Sequence, residues 1–416
     1  MARRRAVQTH TPPTVHNAFR TAERHWKSAS YDLSLAFDAE QIAWDAKEDE
    51  GGRRRGVWMA GDGEAVECFR VALGDLEEAK MGQIKWKGKA REEDGDYAII
   101  VPRIPGLVIF PSVLSETLQR ALVVETLQHA CRPNLSNLDK HYTLPEGGLW
   151  NVWLAGRGDE VVPALPDEEE QAASGQDARE AAATGAAERK SEGTLPEEAK
   201  ETGARTASEK KAVTVRELLP KLRWSNVGWH YNWTTKLYEF ERGKPALPPL
   251  VLRCCRDIVR VTPWEKVLGE SGGDEEVGGT TRAHWRSWNE DYEPDAGIIN
   301  FYQLKDTLTA HTDHSEKDAT RPLVSFSLGH SSVFLVGGTT RDIPPLAILL
   351  RSGDGLCLSG PGRLAYHGLP RVLAGTLPPF LAASQPLPVE GTDDWRPYGE
   401  YLERGARINV NVRSVF

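Results

Sequence analysis

The stretch "GIINFYQLKDTLTAHTDHSEKD", residues 297–318, carries His311 and Asp313 with one residue between them. On a strand, residues i and i+2 face the same side with Cα atoms about 6.5 Å apart, so this imidazole and carboxylate can converge on one ion. Two histidines and one carboxylate on a single face of an octahedron, with three positions left open, are the ligand set of non-haem Fe(II) centres that activate oxygen. The third ligand must then come from another strand. His367 in "GRLAYHGL" holds a strand-like position. His314 would point to the opposite face of a continuing strand, and His330 follows Gly329 in a turn; both stay open as alternatives.

The last strand of the chain, "ARINVNVRSVF", adds a second feature. Arg407, Asn409, Asn411 and Arg413 alternate with Ile408, Val410 and Val412, so one face is polar and the other apolar. The plain reading is an edge strand with a wet face. The sharper reading starts from length: Arg407 and Arg413 lie about 20 Å apart along a strand. With both side chains leaning inward, the gap approaches the length of a five-carbon dicarboxylate. A guanidinium can hold the distal carboxylate in bidentate fashion. Asn300 and Tyr302 in "IINFY" again share a face, and beside the arginines they complete a co-substrate pocket.

These residues need strands to position them. From about residue 297, short apolar runs rich in β-branched and aromatic residues follow one another between turn signals, with no helical pattern among them. That spacing predicts an antiparallel sandwich or barrel of double-sheet jelly-roll character. Residues 14–158 read as a mixed extension. "YAIIVPRIPGLVIF" is extended and punctuated by proline. After it, Leu118, Leu122, Val123 and Leu127 share one helical face behind a Ser115 cap. The fold class expected is α+β with a mainly β core, the N-terminal helical and extended segments packing on that core.

Composition narrows the class. The net charge of −9 argues against a nucleic-acid partner until its distribution is read: residues 159–210 hold 14 Asp/Glu against 6 Lys/Arg and lack aromatics. The acidity is one insert, predicted to be disordered, and the rest of the chain is free to carry a basic face. Residues 1–13 are predicted to be a disordered basic start, and 269–281 and 47–56 read as softer stretches. Five cysteines without a C-x-x-C pattern point to a reducing compartment, as small buried hydrophobes. No run of about 18 apolar residues suggests a spanning helix, so stable membrane association is not expected. The expected compartment is nucleus or cytoplasm, with mitochondrion as the alternative, since residues 1–22 contain no acid.

The order N-x-Y, H-x-D, H, R-x-N-x-x-x-R resembles the AlkB family of Fe(II)/2-oxoglutarate dioxygenases. "NFYQLKDTLTAHTDHSE", "PLVSFSLGHSSVFLVGG" and "SGDGLCLSGPGRLAYHG" look like the catalytic core. "HNAFRTAERHW", "PGLVIFPSVLS", "PNLSNLDKHY" and "LRWSNVGWHYNWTTKLY" look like the eukaryotic AlkB homolog 1 branch. The resemblance implies a double-stranded β-helix over 297–416, with a nucleotide-recognition lid region over 211–296. It implies Fe(II) at His311, Asp313 and His367, with O2 and 2-oxoglutarate as co-substrates. It places 2-oxoglutarate against Asn300, Tyr302, Arg407, Asn409 and Arg413, and substrate against Trp224, Tyr231, Trp233 and Arg341. Glu316 would stand in for an acid that reads the base.

The function implied is oxidative demethylation of N-methylated bases in tRNA, such as 1-methyladenosine, or in DNA, such as N6-methyladenine, by a monomer. Such enzymes take the base out of its stack and hold it against aromatic rings. Three rivals stand beside this reading: a dioxygenase acting on a protein such as a histone, a nucleic-acid binding module with a vestigial metal site, and a lyase at abasic sites. Iron-dependent succinate production separates the demethylase from the second, and chelation of iron separates it from the third.

Overall fold

A computed structural model describes residues 16–74, 96–165, 213–233, 235–269, 285–313, 315–385 and 389–416. The insert, the basic start and the stretch 269–281 fall largely outside them, as does His314. The strands in chain order are β1 Ala43–Glu48, β2 Arg53–Met59, β3 Ala65–Ala72, β4 Tyr97–Ile100, β5 Leu107–Phe110, β6 Val161–Val162, β7 Val213–Thr214, β8 Trp224–Gly228 and β9 Tyr231–Asn232. They continue as β10 Leu237–Tyr238, β11 Ala296–Tyr302, β12 Leu308–His311, β13 Leu323–Gly329, β14 Ser332–Val336, β15 Leu346–Leu350, β16 Gly355–Leu358, β17 His367–Val372 and β18 Arg407–Arg413.

Among the described residues, ten strands form one antiparallel sheet in the order β1-β2-β3-β4-β5-β16-β13-β18-β11-β8, and four form a second in the order β12-β17-β14-β15. The period-2 pattern of β18 fixes which side faces what. Ile408, Val410 and Val412 turn to one side and join a core with the helices Glu116–Gln128 and Pro249–Val261. Arg407, Asn409, Asn411 and Arg413 turn to the other side, toward the small sheet, and line a pocket between the two sheets. The layers are therefore helices, large sheet, pocket, small sheet.

The helix Glu116–Gln128 begins where expected, with Ser115 Oγ accepting the Leu118 N–H, a cap contributing about 1 kcal/mol. It is buried on more than the one face the sequence suggested, with Gln119, Arg120, Ala121, Val124 and Thr126 covered as well, and Glu125 reaches across to accept the Leu250 and Val251 N–H groups that open the second helix.

Four expectations change. The N-terminal strands β1–β5 extend the large sheet itself through β5 and β16. The soft stretch 47–56 is the β1–β2 hairpin. The β-rich end is interrupted by a helix, Arg396–Glu403, which buries Tyr398, Tyr401 and Leu402. Its proline start and short length concealed the helical period. Of residues 211–296, β8 pairs with β11 and belongs to the large sheet, so what hangs beside the pocket is the β9–β10 hairpin.

Candidate active site

β12 delivers His311, the turn after it delivers Asp313, and β17 delivers His367 directly opposite His311 in register. The ligand atoms of these three residues all lie within 4.8 Å of one another. Asp313 Oδ1 is 3.6 Å from His311 Nε2, and its Oδ2 is 4.0 Å from His367 Nε2. Each imidazole is oriented by the backbone carbonyl two residues before it. His311 Nδ1 lies 3.0 Å from the Thr309 carbonyl and His367 Nδ1 3.0 Å from the Ala365 carbonyl. A Nδ1–H donated to a carbonyl leaves the Nε2 lone pair aimed at the shared centre. Burial and the neighbouring His311 push His367 down to about 4, so it is neutral at pH 7, as a ligand must be. Burial would raise Asp313, but the Arg413 guanidinium and both imidazoles outweigh it and hold the carboxylate well below its usual range. Three converging donors, two imidazole nitrogens and one carboxylate oxygen, fit a divalent transition metal.

At the far end of the pocket Arg407 is 1% exposed. Its Nη2 donates to Ser327 Oγ at 2.7 Å, while Nε and Nη1 have no partner among the described residues. Burial pushes this guanidinium down to about 10. A buried cation with two unused donors, facing a pocket, is a site for an anion. Tyr302, whose ring lies 5.7 Å from the Arg407 guanidinium carbon, is pushed up to about 12 by burial and stays a neutral phenol. Asn409 donates to Ser325 Oγ at 2.7 Å, and Asn300 donates to Asn409 Oδ1 at 3.4 Å. The fit to a dicarboxylate thus rests on those unpartnered nitrogens.

Arg413, beside the metal ligands, differs. Its Nη1 pairs with Asp313 Oδ2 at 3.0 Å and with Glu316 Oε1 at 2.9 Å, and its Nη2 donates to Asn411 Oδ1. Burial would lower Arg413; Asp313 and Glu316 override it and hold the guanidinium above the usual arginine range.

The expectation for Glu316 is corrected here. Its side chain is fully buried, its oxygens taken by Arg413, by Arg363 at 2.8 Å and by the Tyr238 hydroxyl at 2.9 Å. It braces the metal end and presents no free oxygen to a base. Arg363, equally buried, was missed: it sits in a 3-10 turn without periodicity, four positions before His367. Asn411 lines the pocket and was legible from the alternation that exposed Arg407 and Arg413.

The substrate candidates divide. Trp233 lines the pocket. Tyr231 packs edge-on against it with ring centroids 5.1 Å apart, and its hydroxyl shares a hydrogen bond with Ser315 Oγ at 3.2 Å. Trp224 lies opposite Asn300 in the β8–β11 register, its ring 5.4 Å from that of Trp233, and supports that ring from outside the pocket wall. Arg341 donates to the Ala310 carbonyl at 3.0 Å and packs over Tyr366, just outside the metal strand. His330, the alternative ligand, is buried with Nδ1 against the Leu373 carbonyl, away from the cluster.

Comparison with known proteins agrees with this geometry. The profile of the 2OG-Fe(II) oxygenase superfamily matches residues 182–413, more than half of the chain. The chain is 29% identical to the tRNA demethylase abh1 of Schizosaccharomyces pombe, over 75% of this chain and 80% of that protein. It is 38% identical to the nucleic acid dioxygenase ALKBH1 of Homo sapiens, over 48% of each. It is 30% identical to the N6-methyladenosine RNA demethylase ALKBH of Cryphonectria parasitica, over 49% of this chain and 81% of that protein. With a convergent His-Asp-His cluster and an unsatisfied arginine at opposite ends of one pocket, the chain belongs to the 2OG-Fe(II) oxygenase superfamily, in its AlkB branch.

Proposed function

We propose that this chain is an Fe(II)- and 2-oxoglutarate-dependent oxidative demethylase of N-methylated bases in nucleic acid, acting as a monomer on 1-methyladenosine in tRNA or N6-methyladenine in DNA. The observation that carries it is the pairing of a three-ligand cluster with a buried guanidinium, two of whose nitrogens lack a partner among the described residues, across one pocket. The names of the relatives supply the substrate class. The two facing sheets are then the double-stranded β-helix of this superfamily, with β1–β5 as an extension of its larger sheet.

In this reading His311, Asp313 and His367 hold Fe(II). Arg407 takes the distal carboxylate of 2-oxoglutarate on its free Nε and Nη1, with Tyr302 beside it. Asn300 and Asn409 line the stem, and Arg413 keeps Asp313 ionised and turned to the metal. When bound, iron, 2-oxoglutarate and O2 supply an oxidation that converts an N-methyl group to a hemiaminal, which releases formaldehyde, and leaves succinate and CO2. No side chain need move a proton. Trp233 offers the extruded base an aromatic face at the pocket wall.

Mass spectrometry of nucleosides from tRNA and DNA pools tests this, with and without Fe(II) and 2-oxoglutarate. A methylated nucleoside should fall only in the complete mixture, with succinate formed in step. Succinate without loss of any methylated nucleoside would remove the substrate assignment and keep the oxygenase.

A further inference from the structure

The strand that carries His311 is an edge strand. In the order β12-β17-β14-β15, β12 has a ladder partner on one side only among the described residues. A short edge strand is free to fray, and a fraying strand cannot hold a ligand in place. Here the open edge is closed by side chains. The Ala310 N–H donates to Glu23 Oε1 at 2.8 Å, and the Ala310 carbonyl accepts from Arg341 at 3.0 Å.

Glu23 comes from the helix Ala18–Lys27, far away in sequence and outside the segment matched by the superfamily profile. The helix packs on β12, β14 and β17. Phe19, Glu23 and Trp26 form its buried face, and the two aromatics join Val333 and Leu335 in a small core that Ala310 also touches. A carboxylate between two buried aromatics is a costly choice unless something needs it. Glu23 is 4% exposed, and its two oxygens are divided between Arg20, at 2.8 Å, and the Ala310 amide. Arg20 lies on the same helix, so the Ala310 N–H is what Glu23 gains from the catalytic core.

We infer that Glu23 is a positioning residue for the metal centre: it fixes the backbone of β12 so that His311 faces Asp313 and His367. The inference rests on the metal site proposed above.

Three variants test it in the metal-free full chain, titrated with Co(II) and followed by its ligand-field spectrum. Glu23→Asp keeps the charge but is a methylene too short to reach Ala310. Glu23→Gln loses the charge but keeps an oxygen that can accept the amide proton. His311→Ala marks the spectrum of a site that lacks this ligand. Glu23→Asp should weaken Co(II) binding about tenfold (roughly 1.4 kcal/mol), shift the spectrum toward that of His311→Ala, and raise hydrogen exchange at Ala310. Glu23→Gln should stay within about twofold of the parent. Co(II) affinity and spectrum unchanged in Glu23→Asp, with Ala310 exchange raised, would overturn the inference. So would Glu23→Gln falling as far as Glu23→Asp. If the parent chain itself binds no Co(II), the metal site fails, which is a different result.

Discussion

Arg407 and Arg413 stand at the two ends of β18, both buried and both lining the same pocket. One is nearly bare; the other is paired on both terminal nitrogens, with only its Nε left without a partner among the described residues. Among the described residues Arg407 has a single hydrogen bond, to Ser327, and burial pushes it down to about 10. Arg413 bridges two carboxylates and an amide, which hold it above the usual arginine range. The difference teaches which arginine belongs to the architecture and which is kept for a ligand. A buried cation with its anions in place is part of the fold. A buried cation without them is strain that a bound anion relieves.

The comparison breaks most easily at Arg413. Arg413→Met leaves Asp313 and Glu316 without their shared cation, and uncompensated buried charge costs about 3–5 kcal/mol. Urea denaturation of the ligand-free protein should show that loss. Arg407→Met should move stability the other way, raising it by about 1–3 kcal/mol, because it removes an unpaired buried charge. The same substitution should weaken 2-oxoglutarate binding on the order of 100-fold, about 3 kcal/mol, by calorimetry with Mn(II) present. If both variants lose stability equally, the distinction between the two ends disappears.

A third buried charge, away from the metal ligands, gives the comparison a pH axis. Burial raises Asp354 to about 6, against the opposing N–H groups of Ser112 and Arg351. The folded chain therefore keeps this proton between about pH 4 and 6, where the unfolded chain has lost it. Its contribution to stability is full below pH 4 and lost as pH rises through 6, a change of about 3 kcal/mol. Urea midpoints measured from pH 4 to 7 should carry that slope, and Asp354→Asn should remove it. A slope unchanged in the variant would show that Asp354 titrates normally.

How much of this was readable follows from range. The polar face of β18 was legible because a strand repeats every two residues, and the pair His311 and Asp313 because one residue separates them, although Asp313 lies just past the end of β12; both signals are local. The fold class followed from the same short runs, since β11 to β18 each coincide with one. His367 needed the rest of the constellation to stand out, because one histidine has no period. What stayed hidden is contact between distant segments. Nothing near Glu316 announces Arg363 and Arg413 as its partners, so its role was misplaced toward the base. Nothing near Glu23 points to Ala310. Trp224 and Trp233 look alike in sequence; only the turn between β9 and β10 decides which ring lines the pocket.

The smallest effect sharpens what the Arg413 end is connected to. Tyr238, on β10, donates to Glu316 Oε1, the same oxygen that accepts from Arg413. Tyr231, across the hairpin, meets Ser315. The aromatic hairpin is thus tied to the loop after Asp313 by two hydroxyls, whereas neither hydroxyl reaches the Arg407 end. Tyr238→Phe removes one tie and leaves the ring packing, a loss of about 1 kcal/mol. Hydrogen exchange over residues 231–238 should rise and the KM for nucleic acid should increase about fivefold. The affinity for 2-oxoglutarate, which depends on Arg407, should stay where it was. The reverse pattern, with 2-oxoglutarate weakened and the nucleic-acid KM untouched, would place the hairpin's influence at the wrong end of the strand.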